Sequence, residues 1–212
     1  ANLLDALATA GKCGVILPRR IVYLSTSGVY GDCAGEWVDE LQPVNPLSNR
    51  ARRRAHAEQS LRAWAEASGA ALVVLRVPGI YAADRLPLAR LRAGTPALRA
   101  EDDVFSNHIH AEDLGAIIVA ALLREDVAGI FNAGDDTEIK MGDYFDLVAD
   151  RHGLPRPPRI ARCDAESRVS PELLSFWNES RRLVNGRIKH ELGVALRYPT
   201  VREGIPVVAT GT

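Results

Sequence analysis

Residues 20–31, RIVYLSTSGVYG, decide the fold. The run from Arg20 to Leu24 is short and apolar and shows no alternation, as expected for a parallel strand buried on both faces. A loop rich in hydroxyl groups, STSG at 25–28, follows it. Ligands of open α/β sheets bind beyond the carboxyl ends of the strands, so these hydroxyls lie where chemistry would occur. Serine, threonine and glycine are also common in ordinary turns, and the segment alone leaves both interpretations open.

Strands and helices alternate along the following residues. Ser48 can cap a helix that runs to about Ser68 and ends at Gly69, and residues 71–77 form a second buried strand. A helix over 113–123 and a strand over 128–133 repeat the pattern. Strands separated by helices are typical of βαβ units, so the sequence predicts an α/β fold built on a Rossmann-like, doubly wound parallel sheet.

The composition limits the partners and the location. The chain has 212 residues, of which 47% are hydrophobic and 25% charged, and no stretch approaches the ~20 apolar residues of a membrane span. Twenty-six basic and 27 acidic residues give a net charge of -1, which supplies no field for holding nucleic acid. The three cysteines show no C-x-x-C spacing and indicate reduced thiols. We expect a cytoplasmic protein that binds neither nucleic acid nor a membrane, with a homodimer as an open alternative.

Five different short motifs follow one another along the chain, and it is their order that is informative. They are ANLLDA at 1–6, STSGVYG at 25–31, LRVPGIY at 75–81, NHIHAEDL at 107–114 and FNAGDD at 131–136. This order resembles the extended short-chain dehydrogenases/reductases, the NAD-dependent epimerase/dehydratase family, and above all its atypical bacterial members with STSGVYGD and SRRLxNxRxKxELG. The resemblance implies NAD or NADP as cofactor and a small-molecule substrate with a hydroxyl or carbonyl group.

The resemblance also predicts the domain organisation. The family begins with a strand and a glycine-rich G-x-x-G-x-x-G turn, which this sequence lacks, so we expect about its first three strands to be absent. Residues 1–135 then form an incomplete dinucleotide-binding Rossmann domain. Residues 136–212, with a contribution from 83–104, form a smaller mixed α/β substrate lobe with helices at about 141–151 and 179–192. The residue that distinguishes NAD from NADP follows the second strand, so both cofactors stay open.

The catalytic residues depart from the family pattern. The family uses a tyrosine, a lysine four residues later, and a serine or threonine on the preceding loop. Counting back from Glu58 places the first two positions at Arg50 and Arg54, while Thr26 matches the hydroxyl position. Arginine stays protonated near neutral pH, so Arg50 cannot replace the phenol as an acid or base. Arg54 can still hold a ribose or a phosphate.

Further ligand contacts follow from the same resemblance. The cofactor positions are Leu24, Ser25, Thr26, Arg54, Pro78, Gly79 and Ile80. The substrate positions are Ser27, Gly28, Tyr81, Ser106 and His108. Two of these residues are unusual, because Gly79 replaces the family's asparagine and Ser106 replaces an arginine that often grips a nucleotide diphosphate. Loss of a bidentate phosphate ligand counts against a nucleotide sugar bound in the ordinary way.

The arginines at the start of the first long helix allow two interpretations. Arg50, Arg52, Arg53 and Arg54 oppose the helix dipole there, which suggests a role in binding an anion. Arginines on an exposed helix are more often simply solvated, and Arg54 also has an ordinary i,i+4 partner in Glu58.

Histidine and tyrosine side chains offer other chemistry. His108 and His110 share one strand face, but no third metal ligand has suitable spacing, and H-x-x-D to Asp113 is the family's entry to a helix, so we expect no metal site. We expect Tyr23, Tyr30, Tyr81 and Tyr144 to be packing or loop residues rather than a displaced catalytic acid, for which Tyr30 and Tyr81 are the alternative candidates.

Three functions remain in consideration. The leading hypothesis is an NAD(P)-dependent oxidoreductase or epimerase/dehydratase-like enzyme with a non-standard proton donor. The alternative is a non-catalytic NAD(P)-binding or sensor protein of the same fold. A serine hydrolase is disfavoured, because the sequence has no G-x-S-x-G elbow.

Overall fold

A computed structural model describes residues 3–207. The α-helices of this part are α1 (Leu3–Lys12), α2 (Asn49–Ser68), α3 (Leu88–Arg92), α4 (Ala111–Leu123), α5 (Met141–Arg151), α6 (Ala165–Arg168), α7 (Pro171–Trp177), α8 (Gly186–His190) and α9 (Val201–Gly204). The strands are β1 (Arg20–Thr26), β2 (Trp37–Val38), β3 (Ala71–Val77), β4 (Gly79–Tyr81), β5 (Ala97–Leu98), β6 (Phe105–Ser106), β7 (His108–His110), β8 (Gly129–Asn132), β9 (Ile139–Lys140), β10 (Arg159–Ile160) and β11 (Arg182–Leu183). Short 3₁₀ helices span Ser27–Tyr30 and Arg162–Asp164. Ala1 and Asn2 of the first motif lie outside the described residues.

A parallel sheet with the strand order β1-β3-β8 carries the first core. Val73 and Leu75 of β3 are fully buried in one cluster with Ile117 of α4. Arg76, between them and the end of the strand, instead reaches Glu58 of α2. Because alternate side chains of a strand leave on opposite faces, helices cover both faces of this sheet. The predicted doubly wound parallel sheet is confirmed.

The helix α2 begins and ends where the sequence predicts. Ser48 is its N-cap, and the Ser48 hydroxyl oxygen accepts a hydrogen bond from the amide of Ala51 at 3.2 Å. Gly69 ends the helix in the left-handed region with φ of 73°. These caps fix the register of the helix and therefore the positions of Arg50 and Arg54 beside the end of β1.

A second core lies around α5. Leu91 of α3 and Ala97 of β5 belong to it, together with Phe145 and Val148 of α5. β5 also pairs with β10, so residues 83–104 pack with the later part of the chain. In contrast, α8 packs against the first core through a fully buried isoleucine, Ile188. The division at residue 135 remains a prediction.

The predicted helix over 179–192 is wrong. Residues 182–183 are a strand, β11, which pairs in parallel with β2, and only Gly186–His190 is helical. Asn132 at the end of β8 ties this pair to the sheet, because its side-chain amide donates hydrogen bonds to the carbonyl oxygens of Val38 and Val184, each at 3.1 Å. None of the helices between residues 3 and 207 has the length and apolar character needed to cross a membrane.

Candidate active site

A cavity of about 360 Å³ opens at the carboxyl ends of β1 and β3. The loop after β1, the turn after β3, the first turn of α2, and residues from β6, β7 and α7 form its walls. It brings together eight of the predicted site residues: Thr26, Ser27, Gly28, Arg50, Pro78, Gly79, Ser106 and His108. The hydroxyl-rich loop therefore borders a cavity as well as forming a turn.

The cavity has other lining residues that the sequence does not identify as site residues. They are Ser48, Ala51, Phe105, Asn107, Met141, Phe176, Glu179 and Arg181. Three of them, Phe176, Glu179 and Arg181, follow one another closely and reach the cavity because β11 returns to β2. The sequence indicates a role for Arg181 only through its place in SRRL, residues 180–183, which begins the SRRLxNxRxKxELG motif.

Thr26 is the last residue of β1 and the N-cap of the following 3₁₀ helix. Its Oγ1 accepts a hydrogen bond from the amide of Gly28 at 3.2 Å. Since a hydroxyl group has one proton to donate as well as lone pairs to accept, the Thr26 hydroxyl can still donate to an oxygen in the cavity.

Arg50 and Arg54 occupy different surroundings although both lie on the first turns of α2. The Arg50 guanidinium lies 4.7 Å from the ring centroid of Phe176 and lines the cavity. Arg54 donates hydrogen bonds to the Tyr23 hydroxyl at 3.1 Å and to the Leu24 carbonyl oxygen at 3.3 Å, outside the cavity wall. Of these two arginines, only Arg50, at the usual tyrosine position, therefore lines the cavity.

Three other predicted cofactor residues also lie outside the cavity wall. Leu24 and Ile80 are partly exposed, at 37% and 36%. Ser25 is buried, and its hydroxyl donates a hydrogen bond to Glu58, which in turn pairs with Arg76 at 2.8 Å. The Ser25 side chain thus belongs to a buried network between β1, α2 and β3.

Ser106 and His108 form a polar pair on the cavity wall. The Ser106 hydroxyl and His108 Nε2 are 2.9 Å apart, and the His108 ring stacks on Tyr144 with centroids 4.1 Å apart. Burial lowers the pKa of His108 to about 3, because the imidazolium would lose its hydration. His108 is therefore uncharged near neutral pH and cannot serve there as a proton donor of imidazolium type.

Tyr30 and Tyr81 are both 1% exposed, and neither lines the cavity. The Tyr30 hydroxyl donates to Asn132 Oδ1 at 2.8 Å, and the Tyr81 hydroxyl donates to the Thr200 carbonyl oxygen at 3.3 Å. Burial raises the pKa of both phenols. Neither Tyr81, a predicted substrate residue, nor Tyr30 is therefore brought to the cavity.

Two cations and one carboxylate set the charge of the cavity. Arg50 and Arg181 line it, and Glu179 accepts a hydrogen bond from Arg181 at 2.9 Å. Across residues 3–207 no group of three histidine, cysteine or acidic side chains is arranged to hold a metal ion. The charged groups of the cavity thus suit binding of an organic anion better than cation binding.

Comparisons with known proteins agree with this architecture. The model of the NAD dependent epimerase/dehydratase family matches residues 1–134. The structure of a functionally unknown conserved protein from Silicibacter pomeroyi is 34% identical with a TM-score of 0.81, and the match covers 96% of this chain and 71% of that one. No curated protein matches the sequence.

Two more distant structures share the fold. Thermus thermophilus UDP-glucose 4-epimerase, solved with NAD, is 20% identical with a TM-score of 0.71, over 96% of this chain and 66% of that one. The human epimerase family protein SDR39U1, solved with NADPH, is 16% identical with a TM-score of 0.71, over 95% of this chain and 68% of that one. The predicted family is confirmed, and this chain belongs to the NAD-dependent epimerase/dehydratase family.

Proposed function

We propose that this chain forms the nicotinamide and substrate end of an NAD(P)-dependent site, which acts on a small molecule with a hydroxyl or carbonyl group. The observation that carries the proposal is the cavity at the carboxyl ends of β1 and β3, where the Thr26 hydroxyl and the Pro78–Gly79 backbone both line the wall. Ligands of open α/β sheets bind at this edge.

The lining residues fit a flat nicotinamide ring. Gly79 has no side chain, and a Cβ there would lie 3.2 Å from the Asn107 carbonyl oxygen, so the backbone at this turn stays bare. Thr26, at the end of the neighbouring strand, supplies a hydroxyl to the same cavity. Structural relatives were solved with NAD or with NADPH, which supports either as the cofactor. Bound NAD or NADP would accept a hydride from the substrate carbon or return one to it.

The chain's own residues would orient the substrate. Thr26 would donate a hydrogen bond to the reacting oxygen, and Ser27 and Gly28 would border the substrate beside it. Arg50 would place a positive charge beside the substrate without transferring a proton, because its guanidinium stays protonated. Arg54 and Leu24 lie together at the outer side of β1, where Arg54 would contact the cofactor ribose or a phosphate.

One observation favours a second candidate, a non-catalytic NAD(P)-binding sensor. The cavity wall holds two arginines, and its one histidine has a pKa lowered to about 3 by burial. Arginine keeps its proton near pH 7, and this buried histidine stays uncharged there, so neither of these side chains supplies a proton readily. A protein that binds the cofactor but only senses its redox state needs no such group.

The test measures binding of NAD(H) and NADP(H) to the full-length protein, followed by cofactor reduction with a panel of alcohols and sugars. In an active enzyme, Thr26→Val is expected to lower kcat by roughly 10²- to 10³-fold, the loss typical of one hydrogen-bond donor to a developing oxyanion. Thr26→Ser keeps both the hydroxyl and the cap and should retain most activity. Tight cofactor binding without any turnover would favour the sensor, and unchanged activity of Thr26→Val would refute the role of Thr26.

A further inference from the structure

Arg181 is a buried cation whose hydrogen bonds are incomplete. The residue is 9% exposed and lies just before β11. Its Nη1 donates to the Gly31 carbonyl oxygen at 2.6 Å and to Glu179 at 2.9 Å. A single nitrogen of the guanidinium, Nη1, thus binds both the loop after β1 and a carboxylate.

The other side of the Arg181 guanidinium has no partner. Nε is buried without a hydrogen bond, and Nη2 forms none with the residues that the structure describes. Nε–H and Nη2–H point in nearly the same direction, and this edge is the one that binds two oxygens of a carboxylate or phosphate at once. A buried donor without an acceptor is unfavourable, and because Arg181 lines the cavity, a ligand oxygen bound there would supply the missing acceptor.

Arg50 adds a second unused cation to the same cavity. It forms no hydrogen bond or ion pair with residues 3–207, and its guanidinium is held over the Phe176 ring at 4.7 Å. Stacking leaves the N–H groups at the rim of the guanidinium plane free to donate. Arg50 is exposed, whereas Arg181 is buried, so the cavity has one cation near its mouth and one in its wall.

We propose that Arg181, assisted by Arg50, binds the carboxylate of the substrate, which is therefore a small hydroxy or oxo monocarboxylic acid. This inference rests on the proposed function for the position of the reacting carbon beside Thr26. Glu179 already neutralises one of the two cations, which leaves a net charge of +1 for the ligand. A monocarboxylate matches that charge, whereas a phosphate group brings nearly two negative charges next to Glu179 at neutral pH.

The test titrates sodium acetate into the full-length protein without cofactor and follows the ¹H–¹⁵N resonance of the Arg181 Nε–H group. Acetamide, which has the same shape but no charge, is the matched ligand, and chloride holds the ionic strength constant. We expect a saturable shift of the resonance with acetate and no shift with acetamide. The proposal is overturned if the chemical shift of this resonance does not change with acetate, or if it changes equally with acetamide.

Variants separate binding from folding. Arg181→Lys keeps the charge but loses the planar edge, so acetate binding, followed by broadening of its methyl signal, should weaken about tenfold or more. Arg182→Lys is the matched control, because Arg182 donates hydrogen bonds to the Gly35 carbonyl oxygen and to Glu138 and does not line the cavity. It should change binding by less than about twofold. Equal weakening in the two variants overturns the assignment.

A third variant tests the charge argument. Glu179→Gln removes the carboxylate beside Arg181, so inorganic phosphate should gain affinity relative to acetate. An unchanged preference overturns the choice of a monocarboxylate. All of these measurements are made without cofactor and without a reaction. A negative result in them therefore does not contradict the proposed redox chemistry. A protein that binds acetate at Arg181 but never reduces NAD or NADP would instead refute the proposed function alone.

Discussion

The ion pair between Glu58 and Arg76 joins α2 to β3 with both side chains almost fully buried, at 5% and 4% exposure. In Glu58→Ala the Arg76 guanidinium loses its counter-charge, and the Ser25 hydroxyl loses its acceptor. Removing one partner of a buried ion pair costs about 3–5 kcal/mol of stability. For a chain of this size each kcal/mol lowers the melting temperature by about 2–4 °C, so we expect a fall of roughly 6–20 °C.

Thermal and urea denaturation would measure this loss. Asp126→Ala is the matched control, because the Arg124–Asp126 pair is also an arginine–carboxylate contact but is largely exposed, at 44% and 69%. The double variant Glu58→Leu/Arg76→Met should recover part of the stability, since it leaves no buried charge without a partner. If Glu58→Ala loses no more stability than Asp126→Ala, the buried pair does not contribute as the structure indicates.

Three other outcomes follow from single side chains. Burial raises the pKa of Asp135 to about 7, so the folded state holds the carboxyl proton of Asp135 more tightly than the unfolded state does. The free energy of unfolding should therefore fall by up to ~1.4 kcal/mol per pH unit from about pH 4 to pH 7. Urea titrations of Asp135→Asn should lack this part of the decline, and a pH profile identical to that of the unmodified protein would contradict the role of Asp135. Gly31 has φ of 70° and ψ of −153°, and a Cβ at this residue would collide with the Asn45 carbonyl oxygen. Gly31→Ala should therefore lower the free energy of unfolding by more than the ~1–3 kcal/mol that backbone strain alone costs. Gly69→Ala should lower it less, because a Cβ at Gly69 meets open space. The ¹⁵N shifts of the His108 imidazole should stay constant from pH 5 to 8, and a titration within that interval would disprove that the ring is buried and uncharged.

Local chemistry explains why much of the fold is predictable. The strand after residue 19 and the helix between Ser48 and Gly69 depend on hydrophobic runs and capping residues that lie next to one another in sequence. The structure extends the first strand to Thr26, beyond the predicted end at Leu24, because pairing with β3 continues through the hydroxyl residues. A neighbouring strand supplies this pairing, and no local signal reports it.

The candidate site was harder to predict for the same physical reason. Family position places Ser25 near the cofactor, but the alternation of β1 turns its side chain into the core, where Glu58 accepts its hydrogen bond. Arg181 and Glu179 reach the cavity through the pairing of β11 with β2, about 145 residues earlier in the chain. The helical propensity of residues 179–192 does not indicate the pairing of β11 with β2, because tertiary pairing overrides the local preference for helix in so short a segment.

The short pair of β2 and β11 has a consequence for the order in which the molecule opens. Each strand contributes two residues, and few backbone hydrogen bonds join them, so this pair should separate at a lower free energy than the sheet of β1, β3 and β8. Its opening would carry Arg181 away from the Gly31 carbonyl oxygen and dismantle one cavity wall while the sheet persists. A ligand that bridges both walls would bind only the closed form, and it would therefore slow hydrogen exchange at Arg182 and Val184 before it affects the central strands.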